Sequence, residues 1–257
     1  MVLEKLKYIV GRSHTKPVFV IGTGRSGTHW LGYSLEAHPE IYATIEAQPM
    51  FDLSTRIALN ETLESRLLVK LLAVYKFQLL KAAPRIYMDK THPNIWIAEK
   101  LHRAFPHARF LGIERNPYAT VASMMKHGGV SAWHRRWREF PVPNRFLGIT
   151  EEIAPLYDDL PFASQCAMRW QAHHNKLNEL KGTLGPALLT VSYEEFAHNP
   201  KEVTEGIQHF LGLRAPIPVP EVKVDSLDKW RDALSDSDVA NIERVVGFPP
   251  TEPRFAG

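Results

Sequence analysis

The sequence contains a single cysteine, Cys166, in 257 residues. A disulfide framework and a cysteine-built zinc site are therefore excluded. Cys166 lies in Phe162-Ala-Ser-Gln-Cys-Ala-Met-Arg-Trp170, which reads as helix, and is expected to be an ordinary buried thiol. No run of 18 apolar residues occurs, so no membrane-spanning helix is expected. The opening residues, MVLEKLKYIVGRSH, lack the apolar core and cleavage site of a secretory signal, and a cytoplasmic location is expected. Repeats and low-complexity tracts are missing. Net charge is small: 31 Lys plus Arg against 28 Asp plus Glu leaves +3. A nucleic-acid surface would need a concentrated basic face, so small anionic substrates fit better.

What is present is an ordinary globular composition, 44% hydrophobic and 23% charged, which excludes disorder and fibre. A single domain is expected over residues 1–257, with 1–16 as an N-terminal extension and 214–257 as an irregular tail packed on it. Pro17 to Thr23 is a continuous apolar run ending at glycine, the pattern of a buried parallel strand. Further strands are expected at 41–45, 85–88, 109–113 and 187–191. Helices are expected over about 27–37, 54–83, 94–105, from Asn116-Pro117 onward, 162–181, 199–211 and 236–246. Residues 129–150 read as irregular. Alternating strands and helices predict an α/β fold, a central parallel sheet with helices on both faces. Ligands in such sheets sit at the carboxyl ends of the strands.

The first strand runs into Gly22-Thr-Gly-Arg-Ser-Gly-Thr28, which fits three templates. Read as G-x-G-x-x-G, it is a dinucleotide fingerprint with Glu46 as the distant acid. Read as G-x-x-x-x-G, it is a Walker loop, or it is a plain strand-turn-helix. The Walker reading lacks its lysine, because position 28 is Thr28, and its metal-binding hydroxyl, because position 29 is His29. The fingerprint is strained by Arg25. What remains is an anion cradle at a helix N-terminus, with loop amides, the hydroxyls of Ser26 and Thr28, and the Arg25 cation. A second strand-to-helix turn, Phe110-Leu-Gly-Ile-Glu-Arg-Asn-Pro, carries Arg115, with Ser123 eight residues on. Together they read as a second anion site; the plain alternative is a surface ion pair and a helix serine.

These two segments, Gly22-Thr-Gly-Arg-Ser-Gly-Thr-His-Trp-Leu31 and Ile113-Glu-Arg-Asn-Pro…Ser123, resemble the two signatures of sulfotransferases that use 3′-phosphoadenosine 5′-phosphosulfate (PAPS). Asp89-Lys-Thr-His-Pro93 is similar to the family's Lys-Thr-Pro or Lys-Thr-His segment. Phe105-Pro-His-Ala-Arg-Phe110, Val191-Ser-Tyr-Glu-Glu-Phe196 and Phe210-Leu-Gly-Leu213 are similar to other family segments. The resemblance implies a P-loop-like sulfotransferase architecture, closest in pattern to bacterial and tyrosylprotein or carbohydrate enzymes. It implies in-line, metal-independent sulfuryl transfer from PAPS to an acceptor hydroxyl. Arg25, Ser26, Gly27 and Thr28 would contact the 5′-phosphosulfate, and His29 and Trp30 would also bind the cofactor. Arg115 and Ser123 would hold the 3′-phosphate, with Tyr193 and Lys229 as further nucleotide contacts. Arg25 and Lys90 would stabilise charge at the sulfuryl end.

The acceptor hydroxyl needs a general base. Glu46 resembles the base of tyrosylprotein and several carbohydrate sulfotransferases, and His92 resembles that of the cytosolic small-molecule enzymes. Pro93 directly after His92 departs from the cytosolic pattern, which favours Glu46. Trp133-His-Arg-Arg-Trp-Arg138 reads as part of an acceptor pocket or lid, or else as a solvated basic face with two core tryptophans. The acceptor is left open among carbohydrate, lipid, peptide and small alcohol. A P-loop nucleotide kinase-like phosphotransferase and a non-catalytic PAPS-fold binding protein are the alternatives.

Overall fold

In the computed structural model, residues 16–219, 221 and 227–247 are described. The N-terminal segment read above as an unsignalled extension lies, apart from Lys16, outside them. Five strands form one sheet: β1 (Val18–Gly22), β2 (Ile41–Ile45), β3 (Ile86–Lys90), β4 (Arg109–Glu114) and β5 (Leu188–Ser192). Their order is β2-β3-β1-β4-β5 and every neighbouring pair is parallel. Phe19 on β1 is level with Asp89 on β3 and with Phe110 on β4.

Side-chain alternation divides the core in two. Phe19, Ile21, Tyr87 and Phe110 face one layer of helices, packing with Ile57, Leu71, Tyr75 and Leu101. Val18, Val20, Met88, Leu111 and Ile113 face the other, packing with Leu31, Leu35, Phe196, Ile207 and Leu211. A sheet covered on both faces needs strands that are apolar at every position, and the VFVIG run of β1 is buried throughout. The expected parallel α/β sheet is therefore present.

The helices are α1 (Thr28–Glu36), α2 (Met50–Leu59), α3 (Glu64–Ala82), α4 (Ala98–Ala104) and α5 (Pro117–Met125). They continue with α6 (Gly128–Arg135), α7 (Phe162–Leu184), α8 (Tyr193–His198), α9 (Pro200–Leu211) and α10 (Asp236–Val246). The single long helix expected over 54–83 is two, split at Asn60. That residue is extended, and its carboxamide accepts from Thr62 N at 3.0 Å, a local turn that competes with helix continuation. The helix expected over 94–105 begins as a 3₁₀ stretch, His92–Ile97, and becomes α-helical at Ala98. Residues 129–150 are not wholly irregular, because α6 starts at Gly128, where the His127 side chain accepts from Val130 N at 3.3 Å. In the tail, α10 forms as expected on a Ser235–Asp238 capping box. No helix among the described residues is long and apolar enough to cross a membrane.

β1 lies at the centre of the sheet, where chain connections diverge to either side. The crevice beyond its carboxyl end is the place such sheets offer a ligand. The loops after β1, β2, β3 and β4 all open there.

Candidate active site

The loop after β1 is held by short local bonds. Ser26 N and Ser26 Oγ both donate to Thr23 O, at 3.2 and 2.6 Å. Ser26 and Thr28 are buried, so the Ser26 hydroxyl braces the loop from inside. The first-turn amides of α1 have no acceptor within their helix, which leaves them able to hold an anion. Gly27 has φ +95°, and a Cβ there would stand 2.3 Å from Tyr193 Cδ2. Gly24 is squeezed too, since its Cβ would stand 3.1 Å from His92 Nε2. Arg25 has φ 79°, a left-handed conformation that costs a non-glycine residue on the order of 1–3 kcal/mol. That twist lets Arg25 Nε donate to Ser123 Oγ at 3.1 Å, across 98 residues of sequence.

Ser123 stands on α5, which opens with an Asn116 cap: Asn116 Oδ1 accepts from Ala119 N at 2.8 Å, and Pro117 follows. Arg115, at the end of β4, places its guanidinium 4.1 Å from the Tyr193 ring centroid. Tyr193 in turn meets Trp30 edge-on at 5.2 Å, and Trp30 stacks on Phe196 at 4.0 Å. Ser123, Arg115 and Tyr193 thus gather at one end of the crevice with Trp30 packed behind them, and Arg25 lies between that end and Lys90, whose charge it also faces. Lys229 is exposed; its neighbour Trp230 stacks on Tyr118 of α5 at 4.6 Å.

At the other end four titratable side chains meet. Lys90, the last residue of β3, is fully buried and donates to Glu46 Oε1. His92 Nδ1 lies 3.0 Å from the same oxygen. Glu46 Oε2 lies 3.5 Å from His29 Nε2, and His29 Nδ1 is 3.0 Å from Lys90 Nζ. Glu46 follows β2 with φ 47°, pinned by its own N–H to Lys90 O at 2.8 Å. Burial opposes the Glu46 charge, but the bond and charge of His92 and then those of Lys90 outweigh it. They hold its carboxyl well below the usual carboxylate range. Burial pushes Lys90 down to about 8 and His92 down to about 3.

Behind Lys90, Asp89 is fully buried and accepts from Tyr75 at 2.9 Å, Thr44 at 2.9 Å and Asn94 at 3.0 Å. Burial raises it to about 6 even so. This network anchors the end of β3 and with it the backbone that carries Lys90.

Sequence reasoning missed Arg169. It lies on α7 with no exposed surface, and among the described residues no carboxylate pairs with it. Its Nη2 is 3.5 Å from His92 Nε2, its guanidinium lies over Phe146 at 4.6 Å and Trp133 at 5.2 Å, and Nε has no hydrogen-bond partner among the described residues. Burial lowers it to about 10. The available signal was the pair Arg169 and His173, four apart on a helix face otherwise carrying Ala163, Cys166 and Ala167. Cys166 itself is buried, and its thiol is pushed up to about 12.

The Trp133–Arg138 segment splits between the two readings made of it. Trp137 is buried and donates to Asp158 at 2.7 Å, while Arg136 and Arg138 pair on the surface with Glu139 and Asp158. Trp133 turns inward, its ring 6.4 Å from that of His92.

Comparison with known proteins gives one coherent picture. A family model described as "Sulfotransferase family" matches residues 59–216, more than half of the chain. The matched span begins after the Gly22–Thr28 loop. The nodulation protein NoeE of Sinorhizobium fredii (strain NBRC 101917 / NGR234) is 32% identical over 133 residues, covering 44% of this chain and 32% of that protein. The match thus spans about a third of that relative's length. Among solved structures, the sulfotransferase domain from the curacin biosynthetic pathway superimposes with a TM-score of 0.58 at 14% identity, covering 91% of this chain and 98% of that one. The sulfotransferase domain of the Synechococcus PCC 7002 olefin synthase gives 0.57 at 17% identity, covering 92% and 97%. At such identities these two establish the fold.

Proposed function

Because this chain belongs to the sulfotransferase family, we propose that it moves the sulfuryl group of PAPS to an acceptor hydroxyl. When bound, PAPS supplies an activated sulfuryl group on a phosphate leaving group. The residues here suit such a molecule, with cations and amides at two separated points. Arg115 and Ser123 serve the 3′-phosphate, and the first-turn amides of α1 with Arg25 serve the 5′ end. Tyr193 holds the Arg115 guanidinium by its ring face. Lys90 and Arg25 stabilise charge that develops as sulfur changes partners.

Removal of the acceptor's proton depends on Glu46. His92 is the weaker candidate, since it is 5% exposed and both ring nitrogens face partners, Glu46 at Nδ1 and Arg169 at Nε2. We assign His92 the job of positioning the Glu46 carboxylate. Trp133, beside His92, supports an acceptor pocket walled by aromatic rings, which suits a sugar or other ring-bearing alcohol.

The observation that carries this reading is the Arg25–Ser123 bond, which joins the two anion sites beside the Lys90–Glu46 pair. Calorimetry with adenosine 3′,5′-bisphosphate, AMP and ATP, with and without magnesium, tests it. The bisphosphate should bind without magnesium and much more tightly than AMP. Arg115→Ala should weaken it roughly ten- to a hundredfold, the loss of one charge-assisted bond. Equal affinity for AMP and the bisphosphate would overturn the assignment. Transfer of labelled sulfate from PAPS to a panel of alcohols and oligosaccharides then identifies the acceptor.

A further inference from the structure

The whole chain carries a net charge of only +3, but its positive charge is not spread evenly. Between Ser65 and Met88 stand five cations, Arg66, Lys70, Lys76, Lys81 and Arg85, and no Asp or Glu. Most of this stretch is α3. One side of that helix packs Leu67, Leu71 and Tyr75 into the core. The other side faces solvent. All five cations are exposed, and so is Ala73. Val69 and Phe77 are exposed with them, at 68% and 64%. Val69, Ala73 and Phe77 are four residues apart, so they form one line along the helix. Two of the five large apolar side chains exposed among the described residues lie on that line.

Elsewhere surface cations are met by acids, as Arg136 is by Glu139, Arg138 by Asp158, Arg214 by Glu40 and Arg231 by Asp228. None of the five pairs with an acid among the described residues. Lys81 and Arg85 lie instead over the Tyr42 ring, at 5.4 and 5.1 Å from its centroid. The outer face of α3 is thus a second apolar line flanked by cations of one sign.

We propose that this face of α3 is a docking surface for an anionic lipid bilayer. A bilayer with negative headgroups answers both features at once. Each Lys or Arg near such a surface raises affinity about fivefold, and the long side chains lay their methylene stems along the interface. Val69 and Phe77 enter the boundary between headgroups and acyl chains, as the apolar residues of interfacial helices do. A nucleic acid would use the cations but leave Val69 and Phe77 against phosphates. A second copy of this face would set five cations against five. The helix lies on the bilayer and does not cross it.

The same helix is tied to the candidate active site. Tyr75, on its buried side, donates to Asp89 at 2.9 Å, and Asp89 precedes Lys90. An α-helix with its side chains is about 10 Å across. Docking by the outer face therefore brings that network to about one helix thickness from the headgroups. The proposal does not depend on the sulfuryl-transfer reading, because vesicle binding involves no reaction.

Sedimentation of the full chain with vesicles tests it. The vesicles are phosphatidylcholine alone, or phosphatidylcholine with about one-quarter phosphatidylglycerol. The chain should pellet with the anionic vesicles and not with the neutral ones. Raising salt from about 0.1 to about 0.5 M should release it, since screening shortens the reach of the cations. Lys70→Gln with Lys76→Gln should weaken binding roughly twenty-five-fold, about fivefold for each charge. Val69→Ser with Phe77→Ser should weaken it roughly tenfold or more. These side chains are exposed, so melting midpoints should be unchanged. Single Lys70→Gln and Phe77→Ser carry the same test should a double variant fail to fold. Insertion is read separately. Cys166, the one cysteine of the chain, is buried, so the thiol of Ala73→Cys can be labelled alone with a polarity-sensitive fluorophore. Its emission should shift to the blue on anionic vesicles. Failure to pellet with them, binding that both double variants leave unchanged, or pelleting with no shift at the labelled position overturns the proposal. Binding of duplex DNA without binding of vesicles also overturns it, and assigns the face to nucleic acid.

Discussion

His92 Nδ1 lies 3.0 Å from Glu46 Oε1, so the two residues that the sequence offers as rival bases form one hydrogen-bonded pair. Their effects on rate are therefore coupled, though unequal. Glu46 carries the charge on which Lys90, His92 and His29 converge, whereas His92 contributes a single N–H to it.

Glu46→Gln should lower kcat at least about a hundredfold, the low end for loss of base function, with bisphosphate affinity nearly unchanged. His92→Asn should cost less, because an asparagine amide can donate to the same carboxylate oxygen. An acceptor with an acidic hydroxyl, such as a nitrophenol, should partly rescue Glu46→Gln. Steady-state kinetics beside calorimetry check this. A fully active Glu46→Gln with a folded but inactive His92→Asn would reverse the roles.

Lys90→Met and Arg25→Ala should each lower turnover more than they weaken bisphosphate binding. The product nucleotide lacks the sulfuryl group these cations serve, and contacts made in the transition state appear in kcat. Lys90→Met has a second consequence. Lys90 lowers both the Glu46 and the His29 pKa. Its removal should therefore move the acidic limb of the pH–rate profile upward, and a limb that stays fixed would mean that neither group titrates in it.

Much of this architecture was legible from apolar periodicity. The VFVIG run is apolar at every position because both faces of the sheet are covered, and glycine at its end announced the loop. Cap chemistry marked α5 correctly, since Asn116 accepts from Ala119 N three residues on and Pro117 stands at the first helical position. Where a local side-chain bond competes with the helix, periodicity misled: Asn60 ends α2 although the apolar stripe continues into α3. The same limit applies to the site. Glu46, Lys90 and His92 could be picked singly, but their sharing of one oxygen depends on β2 and β3 being neighbours, a register no local pattern contains. Arg169 was hard to single out for a similar reason. An arginine in a helix reads as solvated, and only the packing of Phe146 and Trp133 around it shows otherwise.

Arg169→Met should separate stability from activity. A buried charge without a carboxylate partner carries a desolvation cost, and replacing such groups by apolar ones of similar volume is often neutral or stabilising by about 1–4 kcal/mol. The folded protein at pH 7.5 should be at least as stable as wild type by urea midpoint. Catalysis should fall, because His92 loses the donor at Nε2. The pH dependence follows from the His92 value, lowered to about 3 from 6.5 by burial first, with Arg169 contributing. A base depressed in the native state gives stability that is complete above its unfolded value and is lost as pH falls from 6.5 toward 3. The variant should therefore lose less stability between pH 7.5 and 4.5. A variant less stable at both values, with the same pH slope, would show Arg169 to be a packing element alone.

Gly27 and Tyr193 should be coupled in nucleotide binding. A Cβ on Gly27 would stand 2.3 Å from Tyr193 Cδ2, so Gly27→Ala must displace the tyrosine ring. That ring supports the Arg115 guanidinium at 4.1 Å. Gly27→Ala should therefore weaken bisphosphate binding roughly as much as Arg115→Ala does, about ten- to a hundredfold. Tyr193→Ala removes one ring face and should cost less, in line with about 0.5–2 kcal/mol for a cation–π contact. Combined, the substitutions should bind better than the sum of their single losses, because the methyl then occupies space the ring has vacated. Recovery should be partial, since alanine at φ +95° still carries backbone strain of roughly 1–3 kcal/mol. A double-mutant cycle measured by calorimetry reads the coupling directly. Strict additivity of the two losses would mean that the glycine is required for its backbone conformation alone, and that Tyr193 does not transmit the clash to Arg115.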